Sequence, residues 1–115
     1  MPIFVYGSAP SKGTELEPCT VTIIKPSGSD YRFRIGYTGL SSNGGTYADY
    51  DSMSSSTTQF ELEILKNSML CVMNYRDGSL SYNIDGDAFL MEEAGATNVA
   101  WFFEVYGNCT ILFTN

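Results

Sequence analysis

The chain has no histidine. It therefore lacks the side chain that most often serves as general base, proton shuttle or metal ligand near neutral pH. Ser-His-Asp and Cys-His nucleophile sets cannot be assembled within it. Basic residues are scarce too: 6 Lys and Arg against 13 Asp and Glu give a formal charge of −7. Phosphate backbones and anionic lipid surfaces repel such a chain, which argues against nucleic-acid and membrane partners. Cysteine is sparse. Cys19, Cys71 and Cys109 form no CxxC pair, and their odd number leaves at least one thiol unpaired within the chain. A dense disulfide framework is excluded. Three free thiols on strands are the simplest reading, and one disulfide involving Cys109 is the alternative. No apolar run reaches the length of a membrane span. Residues 1–6 are apolar but have no basic flank, so no signal peptide is read there.

Catalytic equipment is thin. Carboxylates come in close pairs at Asp49 and Asp51, Asp85 and Asp87, and Glu92 and Glu93. A glycosidase needs two such groups facing each other across a sugar cleft, for which a domain this small has little room. Asn43-Gly44-Gly45 lacks the lysine and helix of a phosphate loop. The Asp-rich turns do not match the spacing of an EF-hand, so Asp and Gly there are read as turn chemistry. No catalytic residue, metal ligand or cofactor is assigned.

What the chain does have is β-strand chemistry. Its 115 residues support one domain, and 43% hydrophobic with 14% aromatic residues supply a core. Only 17% are charged, so polar cover falls to Ser, Thr, Asn and Gly. Residues 19–25 alternate apolar and polar. Residues 31–38 alternate strictly, with Arg32 and Arg34 on a wet face, and the two runs are expected to pair as a hairpin. Residues 59–65 alternate with Glu61 and Glu63 outward. Residues 68–74 are nearly continuously apolar, fit for burial on both faces. Residues 80–84 and 88–91 follow, separated by an expected turn at Asp85-Gly86-Asp87. The pattern predicts an all-β domain, an antiparallel β-sandwich or jelly-roll-like barrel. Residues 1–18 form an N-terminal strand or arm and loop, and residues 19–115 the β-sandwich domain.

The end of the chain, residues 99–115, reads as a hairpin around Gly107-Asn108, a two-residue turn signal. That register sets Tyr106 opposite Cys109, Glu104 opposite Ile111 and Phe102 opposite Phe113. Both of its faces are largely apolar and need cover. Glu104 is the exception, and either lies on a wet face or pairs with Arg32, Arg34 or Arg76. Asn108-Cys109-Thr110 matches a glycosylation sequon and is taken as a chance match.

The segments Ser68-Met-Leu70-Cys-Val72-Met, Ser81-Tyr-Asn-Ile84-Asp-Gly86-Asp87-Ala and Ala100-Trp-Phe102-Phe-Glu-Val105-Tyr-Gly107-Asn-Cys109-Thr-Ile111 are spread over about the last half of the chain. Together they resemble small β-rich phage virion proteins: capsid decoration, head-fibre or tail-appendage modules. The resemblance implies an assembly role, multiple copies and contact with a capsid or tail surface. No functional residue is carried over from it.

The expected function is a non-enzymatic structural module, acting as a homo-oligomer or with other virion or assembly proteins. Its location would be a virion or extracellular surface, or otherwise the cytoplasm. Candidate interface residues are Ile3 and Phe4 on the arm, and Trp101, Phe103 and Leu112 on the terminal hairpin. The alternative is a carbohydrate-binding adhesion domain. In it, the 39–58 loop would stack a glycan on Tyr47 and Tyr50 and hold its hydroxyls with Asp49 and Asp51.

Overall fold

A computed structural model describes residues 17–37, 50–95 and 98–115. Seven strands follow one another without a helix among these residues: β1 (Pro18–Ile24), β2 (Phe33–Tyr37), β3 (Tyr50–Met53), β4 (Gln59–Leu65), β5 (Ser68–Asn74), β6 (Ser81–Ala94) and β7 (Ala100–Thr114). They form one nearly closed, barrel-like sheet in a single compact domain. The strand order is β3-β2-β5-β7-β1-β4, with β6 on the remaining edge of β7. All pairs are antiparallel except β1 and β7, which run parallel through Val21–Cys109 to Ile24–Leu112.

Alternation places the core as it should. Val21 and Ile23 of β1, Phe33, Ile35 and Tyr37 of β2, Leu62 and Ile64 of β4, and Leu70 and Val72 of β5 are all buried. Arg34, Glu61 and Glu63 point out. At 25 cal/mol per Å², each large side chain so buried contributes about 2 kcal/mol. Lys66 and Asn67 turn β4 into β5, with Asn67 in the left-handed region at φ 67° that Asn tolerates.

The expected terminal hairpin is absent. Residues 100–114 are a single 15-residue strand, and every odd residue from Trp101 to Phe113 is buried. Tyr106, Glu104 and Phe102 do not pair with Cys109, Ile111 and Phe113. Phe102 and Glu104 pair with β5 and β6 instead, as in Cys71–Phe102 and Phe89–Glu104, and Tyr106 falls in an interruption of the β6–β7 ladder. The turn expected at Asp85-Gly86-Asp87 is absent too, because β6 is one 14-residue strand. Nor do β1 and β2 form a hairpin: β1 pairs with β4 and β7, and β2 with β3 and β5.

Glycine explains both misread turns. The β6–β7 ladder is interrupted between Gly86 and Ala88, where β7 passes three residues, 106–108, against the single Asp87 of β6, and the surplus sharpens the local bend. Gly86 sits at φ +114°, and a Cβ there would lie 2.5 Å from the Asn108 carbonyl oxygen. A Cβ on Gly107 would lie 2.4 Å from Oδ2 of Asp87, the residue that faces the bulge. The two strands turn a corner here together. As a result Trp101 and Phe113, twelve positions apart on one strand, stack through the core with ring centroids 4.8 Å apart. Phe33 joins them, 5.0 Å from Phe113, and Phe103 meets Tyr82 at 5.8 Å. The sheet curls on itself here, as a barrel corner does.

β7 therefore has both edges occupied: β6 along one, and β5 followed by β1 along the other. At the join between β5 and β1, Asn108 Oδ1 accepts a hydrogen bond from the Thr20 amide at 2.8 Å. β5 is buried on one face only; Met69, Cys71 and Met73 on the other are half-buried, which corrects the expectation of two-sided burial.

Candidate interaction surface

Two features of the outer surface stand out chemically, and both lie on β6 and β7. The first is apolar. Phe89 is 47% exposed, Met91 50% and Tyr106 44%. Phe89 and Tyr106 face each other with ring centroids 6.0 Å apart. Strand register continues this patch across three strands: Met69 lies opposite Glu104, and Glu104 opposite Phe89. In the next row Cys71 lies opposite Phe102. The Glu104 carboxylate thus sits at the sheet surface between Met69 and Phe89, on the wetter face, without an arginine partner.

The second feature is an edge. β6 pairs with β7 alone, so among the described residues its other edge carries no strand. A 14-residue edge is a long row of backbone donors and acceptors that another strand can join. Two bulges and the exposed acids Asp85, Asp87, Glu92 and Glu93 interrupt it, which restricts what can pair there.

A polar groove of about 350 Å³ lies near the corner, lined by Thr20, Thr22, Asp85, Asn108 and Thr110. It offers hydroxyls, one amide and one carboxylate, and no aromatic side chain. No group of three His, Cys, Asp or Glu side chains is placed to hold a metal ion among the described residues.

The candidate residues fall in different places. Trp101 and Phe103 are 2% and 0% exposed, so both belong to the core and neither is presented to a partner. Their inward direction follows from the unbroken alternation of β7. Leu112, at 38% exposure, lies on the outer surface. Ile3 and Phe4 lie outside the described residues, as do Tyr47 and Asp49. Tyr50 opens β3, and Asp51 lies half-buried on the same strand opposite Ile35. Sequence reasoning missed Phe89, Met91 and Tyr106. The clue was available: the apolar run Phe89-Leu90-Met91 sits between Asp87 and Glu92, and one strand cannot hide both parities.

None of the three cysteines forms a disulfide. Burial pushes the Cys109 thiol up to about 11, with smaller contributions from Cys19 and Asp87. Burial raises Cys19 as well. Neither is the thiolate that nucleophilic chemistry requires.

No protein-family model, curated protein or solved structure matches the chain.

Proposed function

We propose that the protein is a non-enzymatic assembly module that joins copies of itself or a larger particle through the outer face of β6 and β7. The observation that carries this reading is the exposed Phe89–Tyr106 ring pair, with exposed Met91 two residues further along β6, beside the unpaired β6 edge. Exposed aromatic and Met side chains of this kind are characteristic of protein interfaces. The resemblance to phage decoration and appendage proteins suggests a virion surface as the setting, although the Gly107-Asn108 turn it partly rests on is a strand corner here.

Size-exclusion chromatography with light scattering tests the reading. The wild type is expected to self-associate, or to bind a capsid or tail preparation. Phe89→Ser with Met91→Ser should abolish this while leaving the near-ultraviolet signal of Trp101 intact. A wild type that stays monomeric at every concentration and binds no such particle would sink the idea.

A carbohydrate-binding reading draws separate support from the Thr20, Thr22, Asp85, Asn108 and Thr110 groove, whose hydroxyls, amide and carboxylate suit sugar hydroxyls. A broad glycan array decides it, with Asp85→Ala expected to remove any signal that arises at this groove.

A further inference from the structure

The chain contains three arginines, Arg32, Arg34 and Arg76. All three converge on one ring. Their guanidinium carbons lie 5.5, 5.4 and 5.0 Å from the centroid of Tyr75. In a chain of net charge −7, this gathers half of the basic residues at one spot.

The cluster is built, not incidental. Asn74, at 1% exposure, accepts the Arg32 amide at 3.0 Å and the Arg76 amide at 3.3 Å on the same Oδ1. Its Nδ2 donates to the carbonyls of Asp30 and Gly78 at 3.1 and 3.0 Å. One buried side chain thereby sets the spacing of two arginines that are 44 positions apart. The Tyr75 amide donates to the Arg32 carbonyl at 3.0 Å and closes the frame.

The guanidiniums of Arg32 and Arg76 have no carboxylate partner among the described residues. Arg32 Nε is buried without a hydrogen-bond partner. Arg76 Nη1 donates to the Tyr75 carbonyl at 3.1 Å, and its remaining donors are available. Exposed Asp30 and Asp77 lie in the adjoining turns yet pair with neither. Planar, forked donors held at fixed spacing are suited to a carboxylate.

We propose that Arg32, Tyr75 and Arg76 form a docking site for carboxylates of an acidic protein segment. The tyrosine ring holds the two guanidiniums by cation–π contact, and the incoming Asp or Glu takes their outward N–H groups. Two guanidiniums on hydrogen-bonded backbone segments match adjacent carboxylates of an acidic chain, whereas a uronate or sialate unit carries one. The site lies apart from the Phe89–Tyr106 patch and does not depend on it.

Titration of the isotope-labelled protein with a hexaglutamate peptide tests this by amide chemical shifts. Shifts should concentrate at Arg32 and at residues 74–76. Arg32→Gln and Arg76→Gln should each weaken binding at least fivefold. Lys66→Gln removes the same charge from a different turn and should change it less than twofold. Tyr75→Phe keeps the ring and should bind nearly as the wild type does. Equal losses in all three charge variants would reduce the effect to bulk charge and overturn the proposal, as would no localised shift in the wild type. Shifts with a uronate or sialate sugar but none with the peptide would also overturn it, in favour of an acidic-sugar site. Dispersed spectra of both arginine variants establish that the fold is kept.

Discussion

Lys25 is the least comfortable residue in the molecule. Only 2% exposed, it follows the inward parity of Val21 and Ile23 past the end of β1. Its Nζ donates to the Pro26 carbonyl at 3.1 Å and lies 5.8 Å from the Phe33 ring centroid. Burial lowers its pKa. Between that lowered value and the ordinary one of 10.5, the unfolded chain holds a proton that the folded chain does not. Stability owed to this group therefore rises with pH across that window. Lys25→Met keeps the volume and removes the charge. It should raise the urea midpoint at pH 7, and its advantage over the wild type should shrink as pH approaches 10.5. Thiol chemistry makes a second residue-scale test. Half-buried Cys71 should react with a thiol reagent in the native state. Buried, protonated Cys19 and Cys109 should react only on unfolding, which a red shift of the single tryptophan, Trp101, reports.

Among the elements, the long β6–β7 pair decides the architecture. In a two-residue hairpin turn Gly107 would sit at positive φ, and alanine would cost through that strain; here its φ lies outside that region. At a corner, under Asp87, the added Cβ must displace a neighbouring strand. Gly107→Ala should destabilise by about 2 kcal/mol or more in urea unfolding, and Gly86→Ala by a similar amount through its positive φ. β1, β2, β4 and β5 were legible within a residue or two, because alternation is a local signal and each has one buried face. β6 and β7 were not. Gly-Asn and Asp-Gly-Asp relieve crowding at a reversal and at a bend alike, so local chemistry does not separate the two. The β1–β2 hairpin failed for a related reason: the polar stretch between them carries the chain past β5 and β7, which lie between the two strands in the sheet. The outer patch escapes the sequence because residues 88–91, seen as one short strand, carry no facing, while Trp101 and Phe103 stand out as interface candidates because both faces of the expected hairpin are apolar.

At the scale of the whole molecule, charge and greasiness are segregated. Arginine gathers at Tyr75, acids line β6, and the apolar patch occupies the β6–β7 outer face. Lys66 is engaged separately, in a 2.9 Å ion pair with Glu17 that raises its pKa through that hydrogen bond and charge. Both are largely exposed, so the pair adds little stability. Association through the apolar patch should therefore persist in high salt, where a purely electrostatic contact would fade. Light scattering across a salt series separates these cases: a complex that dissociates as salt rises would exclude the β6–β7 face as its main contact.

The parallel seam between β1 and β7 also governs how the chain acquires its structure. Val21 meets Cys109 across nearly the full length of the described chain, and β7 is the shared neighbour of β1, β5 and β6. Earlier strands have no complete sheet to join until β7 is present. Loop closure over such separations is slow, so refolding is expected on the millisecond-to-second scale, with one cooperative phase and no stable N-terminal fragment. During synthesis the β1–β5 segments would emerge with their inner faces uncovered, and only the last strand would retire them.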